Sequence, residues 1–176
     1  MAQGNRIVLT PGRGVEVEGK IGPAFSSYTA STGHGGNSCP KPGVVVQVNA
    51  VYGQEGGRWT WQQWDRGADG DRPVGPHIIL REDLIQGNDT AAVYATGVRA
   101  FGFIPWAGCE LNLIVKDITG GTGTTTAVAL NDLLIVDDTT GKFLVTTGSP
   151  ELEPAMALET HANDASDSLI WCYWCS

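Results

Sequence analysis

A chain of 176 residues with 24 Gly, 9 Pro and 41% apolar residues has room for one turn-rich domain with an elaborated half, and its composition excludes a helical bundle. Its formal net charge of −8 is uneven: residues 1–88 hold 8 basic and 8 acidic residues, whereas residues 89–176 hold 3 basic and 11 acidic ones. The acidic half repels a nucleic-acid backbone, no apolar run approaches the roughly 18 residues of a membrane span, and the amino terminus lacks the basic and apolar segments of a secretory signal, so the expectation is a protein made in the cytoplasm with neither nucleic acid nor membrane as partner.

Ile7-Val8-Leu9 and Val15-Glu16-Val17 read as short extended pieces separated by Pro11-Gly12 and Gly14. Residues 22–43 are rich in Gly, Ser and Thr, without the Lys spacing of a phosphate cradle. Residues 1–43 are therefore expected to form an N-terminal arm with loops, ordering against a partner, ahead of a β-rich domain over residues 44–176. Val44 to Val48 predicts a strand. Gly57 to Arg66 carries Trp59, Trp61 and Trp64. In an extended chain Trp59 and Trp61 share a face, and tryptophan supplies stiff contact area with one polar group. Three readings stand for this cluster: an interface hot spot, a sugar-stacking platform, or a core wall. His77 to Leu80 predicts a further strand, and Arg81 to Gly87 a single helical turn closed by Gly.

Two extended pieces follow around Thr96-Gly97, with Arg99, Phe101 and Phe103 on one face and Ala100, Gly102 and Ile104 on the other. Pro105-Trp106-Ala107-Gly108 breaks the strand, and Glu110 to Val115 starts the next. Leu133 to Val136 and Lys142 to Thr147 flank Asp137-Asp138-Thr139-Thr140-Gly141, a polar turn ending in Gly, which predicts a hairpin. Both faces of its first strand are apolar, predicting cover on both sides. Ala155 to Glu159 and Leu169 to Trp174 complete a set of short strands joined by turns. The fold expected is mainly β: a small barrel or tulip-like sandwich of short antiparallel strands, a Gly-rich N-terminal arm and little helix. Closure would protect apolar strands from edge-to-edge pairing.

Chemistry-bearing patterns are sparse. His34, His77 and His161 are isolated, and no Gly-x-Ser-x-Gly elbow occurs. Asp65, Asp69 and Asp71 lack the Glu that completes a calcium loop. Asp137 and Asp138 suit backbone capping better than acid–base work. Among Cys39, Cys109, Cys172 and Cys175, the Cys172-Tyr-Trp-Cys175 spacing fits a zinc knuckle, but positions three apart on a strand point to opposite faces, and small buried side chains are the simpler reading. No catalytic residue, metal or cofactor is expected.

The block from Gly97 through Pro105-Trp106-Ala107-Gly108 to Leu113 resembles a structural protein family of tailed bacteriophages, as does Asn131-Asp132 through Asp137-Asp138-Thr139-Thr140-Gly141-Lys142. Thr147-Gly148-Ser149-Pro150, Glu153-Pro154, Ala157-Leu158-Glu159, Asp69-Gly70-Asp71 and Leu80 to Gly87 are also similar to it. The likeness covers about residues 58–174 and resembles capsid decoration, or cement, proteins. It implies a β-rich protein on the outer surface of the head, bound to the major capsid protein, often trimeric at local three-fold sites and stapled through an N-terminal arm. On that basis Ile7, Val8, Leu9, Val15, Val17, Trp59, Trp61 and Trp64 are the candidate interface residues. Removing residues 1–20 is then expected to weaken head binding while leaving the second-half fold intact. The alternative is a virion carbohydrate-binding or head-fibre module using Trp59, Trp61 and Trp64.

Overall fold

The computed structural model describes residues 6–10, 12–22, 41–48, 54–55, 57–64, 76–83, 94–95, 97–116, 127–137, 141–146, 154–162 and 168–175. Eleven strands lie among them, and no helix: β1 (Gly14–Ile21), β2 (Val45–Val48), β3 (Gln54–Glu55), β4 (Arg58–Gln63), β5 (Ile78–Leu80), β6 (Arg99–Pro105), β7 (Glu110–Val115), β8 (Leu133–Val136), β9 (Phe143–Val145), β10 (Ala155–Ala157) and β11 (Ser168–Trp174). Most coincide with β-branched or aromatic runs bounded by Gly or Pro, which fit a pleated, half-buried surface. Arg81–Asp83 is not helical, and the remainder of the helical turn expected there lies outside the described residues.

The strands make two closed circuits. β10, β11, β7, β9 and β8 form a closed barrel. β1, β6, β5, β2 and β4 follow one another in the second sheet, and an additional parallel pairing of β4 with β1 returns it to its start. β3 extends the β4 edge beyond β2.

The two circuits share one wiring. The first strand of each, β1 or β7, pairs in parallel with the third, β4 or β9, and antiparallel with the fifth, β6 or β11. The second, β2 or β8, pairs with the third and with the fourth, β5 or β10; the fourth pairs with the fifth. Even the register agrees. Ile21 faces Trp61 as Val115 faces Phe143, and Leu80 faces Gly102 as Ala157 faces Cys172. The chain is thus two copies of one five-strand plan, in tandem.

The interiors are filled differently. In the first barrel Trp61 occupies the centre with Ile21, Val46, Ile78, Leu80 and Ala100. A Cβ on Gly19 would sit 2.3 Å from Trp61 Cε2, and one on Gly102 would sit 2.9 Å from Trp61 Cη2, so the indole requires both glycines. In the second barrel the large ring comes from β11, where Trp174 meets Phe143 edge-on at 6.4 Å. Small Ala155 and Ala157 accompany it on β10. Close packing explains the difference, because an interior of fixed volume takes large rings only where their neighbours shrink, and the second barrel holds Phe143, at the register position of Trp61, together with Trp174.

The barrels touch through backbone as well as side chains. Val45 N–H donates to the Gly141 carbonyl (2.7 Å), and Ile114 N–H to the Gly43 carbonyl (3.1 Å). Gly141 has φ +69°, and a Cβ there would lie 2.4 Å from the Val45 carbonyl oxygen, so only glycine permits this approach. Val45, Ile79 and Phe103 turn from the first barrel into the core they share with the second. His77 stacks on Trp64 (4.3 Å) and meets Trp174 edge-on (5.4 Å), so aromatic contact runs across the junction.

Residues 6–10 act as a strap. Val8 bridges Leu111, Leu9 N–H donates to the Glu110 carbonyl (3.0 Å), and Asn112 N–H donates to the Ile7 carbonyl (2.7 Å). The Ile7 N–H in turn donates to Glu82 Oε2 (3.1 Å) in the first half. Along one edge of β7, the N–H groups of Asn112, Ile114 and Lys116 are taken by Ile7, Gly43 and Phe143, three segments far apart in sequence. An edge sewn up in this way offers no template for another chain.

Three expectations need correction. Ile7 and Val8 are buried core residues, because the β7 edge they fill belongs to their own chain. The N-terminal segment expected to be an arm contributes the wall strand β1, which closes the first barrel. On β8 only Leu134 and Val136 are buried, while Leu133 and Ile135 on the outer face are half-buried.

Candidate interaction surface

The sequence-predicted interface residues divide by position along their strands. Trp59 and Trp61 share a face as expected, but Trp61 lies inside the barrel and Trp59, two residues nearer the mouth, is 48% exposed. Trp64 is buried against His77. The three-tryptophan platform therefore does not form. Leu9 is half-buried in the strap, and Val17 is half-buried against the first barrel's core. Val15 is exposed.

On the opposite face of the wall, next to Trp59 in sequence, lies a charged cluster. Arg58 Nε lies 2.7 Å from Glu18 Oε1, and Arg99 reaches the same oxygen at 4.0 Å while its guanidinium covers the Phe101 ring at 4.9 Å. These exposed pairs cancel most local charge and contribute little to stability.

A second exposed group stands at the junction of the barrels. The Trp106 N–H donates to the Arg13 carbonyl (3.0 Å), which extends the β1–β6 ladder by one step beyond Gly14 and Pro105. Arg13, Val15 and Trp106 consequently share a face. Gly108, at φ +88°, turns the chain into β7; a Cβ there would lie 2.8 Å from Arg13 Nη1 and 3.4 Å from the Tyr173 hydroxyl. Glycine thus leaves room for the guanidinium beside the phenol. Trp106 is 56% exposed, Val15 44% and Tyr173 37%. The sequence showed Pro105-Trp106-Ala107-Gly108 only as a strand break. The available signal was a tryptophan inside a Gly-closed turn, where no strand face exists to bury it.

Other polar groups hold the fold. Glu82 caps the strap, Arg81 pairs with Glu16, and the Tyr94 hydroxyl donates to the Arg81 carbonyl. Burial, then the charges of Asp83 and Glu82, push the Tyr94 phenol above its ordinary range. Lys116 pairs with Asp137 at 2.9 Å. Among the described residues no group of three His, Cys, Asp or Glu side chains is placed to hold a metal, and no helix is long and apolar enough to cross a membrane. His34, Cys39, Asp65, Asp69 and Asp71 lie outside the described residues.

Compared with known protein families the chain matches none, and no curated protein matches its sequence.

The cysteines follow the packing. Cys109 and Cys172 are fully buried, Cys175 is exposed, and all three are free thiols. Burial pushes the thiols of Cys172, Cys109 and Cys175 upward, and the thiolate is the reactive form. Alkylation of the native protein should modify Cys175 and spare Cys109 and Cys172 until denaturant is added, as read by peptide mass mapping. Equal labelling of Cys172 and Cys175 in the native state would contradict a closed second barrel.

Proposed function

We propose that this chain is a bacteriophage capsid decoration protein: it binds the major capsid protein on the outer surface of the expanded head and stabilises capsomer contacts against the pressure of packed DNA. The observation that carries this reading is the division of charge between the two halves of the chain. Residues 14–105, the stretch that includes the first barrel's strands, have 7 basic and 9 acidic residues; residues 110–174, which include the second's, have 2 basic and 10 acidic ones. A nearly neutral barrel bearing exposed Trp59 suits docking against a large protein surface. A strongly acidic one suits the solvent side, where like charge keeps particles apart. The resemblance of its turn motifs to those of decoration proteins supports the same reading. Assembly as a trimer at local three-fold sites belongs to this proposal, and many weak contacts around a shell add by multivalency.

The test is cosedimentation of purified protein with undecorated expanded heads. Wild type binds; Trp59→Ala binds at least about tenfold more weakly, as for an interface anchor, with unchanged unfolding. A wild-type protein that binds no head overturns the proposal.

A further inference from the structure

We propose that the open edge of β1 is a slot for an extended segment of a partner protein, which joins it as an antiparallel strand; the decoration reading, on which only the partner's name rests, makes that partner the major capsid protein. The β1–β6 ladder includes the Ile21 N–H donating to the Val98 carbonyl and the Trp106 N–H donating to the Arg13 carbonyl, each at 3.0 Å. Bonding alternates along an antiparallel pair, so the N–H and C=O groups of Glu16 and Glu18 point away from β6. On that side β4 pairs with β1 only from Gly19 onward. Among the described residues nothing bonds the Glu16 N–H, the Glu16 carbonyl or the Glu18 N–H, and both residues are exposed.

The second barrel shows what such an edge takes. With Ile21 matched to Val115, Glu16 and Glu18 fall at the positions of Glu110 and Asn112. The match holds in the bonding too: the Gly22 N–H donates to the Trp61 carbonyl as the Lys116 N–H does to that of Phe143. On β7 the strap fills the edge. The Asn112 N–H donates to the Ile7 carbonyl, the Leu9 N–H to the Glu110 carbonyl, and the Glu110 N–H to Thr10 Oγ1 (2.8 Å). The equivalent groups on β1 are the Glu18 N–H, the Glu16 carbonyl and the Glu16 N–H, the three that nothing described takes. Side chains suit an added strand as well. Val15 and Trp59, 44% and 48% exposed, share a face with half-buried Val17 and give the slot an apolar flank. On the other face Glu16 pairs with Arg81, and Glu18 with Arg58 and Arg99, so both carboxylates are compensated. The occupant is an extended segment with an apolar residue beside Val17 and a Ser or Thr two places later, as Val8 and Thr10 stand in the strap.

Hydrogen exchange on the full chain tests the slot. In the free protein the Glu16 and Glu18 amides should exchange fast while those of Val15, Val17 and Gly19, bonded to β6, are protected; protection of Glu16 and Glu18 there overturns the inference. Two probes then follow: a synthetic peptide of the strap's sequence, residues 6–10, at millimolar concentration, and undecorated expanded heads. Each should slow exchange at both amides about tenfold or more, with Asn112 protected throughout by the chain's own strap. Glu18→Pro deletes an N–H that points off the edge, which a strand tolerates, and should weaken both interactions about tenfold or more. Glu18→Ala loses only exposed ion pairs and should stay within about threefold of wild type. A peptide that protects neither amide overturns the inference, as do heads that bind while both amides keep exchanging, or a folded Glu18→Pro that binds like wild type. If the peptide protects both amides and no head is bound, the slot stands and the decoration reading falls.

Discussion

Replacing Trp61 by alanine should lower the unfolding free energy by about 3–5 kcal/mol, the range for a large buried ring. The indole is fully buried at the centre of the first barrel, and the backbone that gave up two side chains to admit it cannot collapse into the vacated space. That logic makes a sharper second measurement available. Gly19→Ala in the wild type drives a methyl to within 2.3 Å of the indole and should be strongly destabilising. In the Trp61→Ala background the same methyl enters a void and should be tolerated or even stabilising. Denaturant melts of both singles and the double should therefore give a coupling on the order of 1–3 kcal/mol. Strict additivity would mean that Gly19 is glycine for some reason other than the ring.

Deleting residues 1–10 should disrupt the second barrel, although the segment lies at the opposite end of the sequence. Ile7 and Val8 are buried in the shared core, and losing a buried Ile side chain alone costs about 2–5 kcal/mol. The deletion also removes the partners of Asn112 N–H, Glu110 N–H and the buried Glu82 carboxylate, each worth a further 1–3 kcal/mol or so when left unsatisfied. The total is comparable with the whole stability of an ordinary domain, about 5–15 kcal/mol. Hydrogen exchange at Asn112 should rise by orders of magnitude, and the near-ultraviolet signal of Trp174 should fade. A truncated protein with native exchange on β7 would show the strap to be peripheral, as an arm awaiting a partner would be. Because truncation damages the body itself, loss of head binding on truncation carries no information about an arm.

Much of the architecture was legible in the sequence, and the reason is local. β8 and β9 are β-branched or apolar runs around Asp137 and Gly141; β11 is an aromatic run ahead of the terminus; β6 alternates between Phe103 and Ile104 with Pro105 to end it. What stayed hidden depends on distance. The twofold plan leaves no sequence repeat, because equivalent interior positions carry Gly19 and Leu113, Leu80 and Ala157, Ala100 and Ile170, or Ile104 and Trp174. Hydrogen bonding repeats while volume does not. Pairing of Ile7–Leu9 with residues about a hundred places away could not be read from three apolar letters, which equally describe a free edge. The tryptophan cluster split for the same reason: periodicity fixed the shared face of Trp59 and Trp61 but not which of them lay beyond the barrel mouth. At the candidate surface Val15 was legible as an apolar edge residue, whereas Arg13, Trp106 and Tyr173 converge only once the β6–β7 turn is drawn.

The strap imposes an order on biosynthesis. Residues 6–10 leave the ribosome well before their docking site on Glu110–Asn112, which is translated about a hundred residues later; at 5–20 residues per second that is a wait of roughly 5–20 s. Throughout that interval Val45, Ile79 and Phe103 lack the barrel that eventually covers them. The nascent first half therefore carries this apolar surface uncovered for that time, and the second barrel closes only when β11 has cleared the exit tunnel.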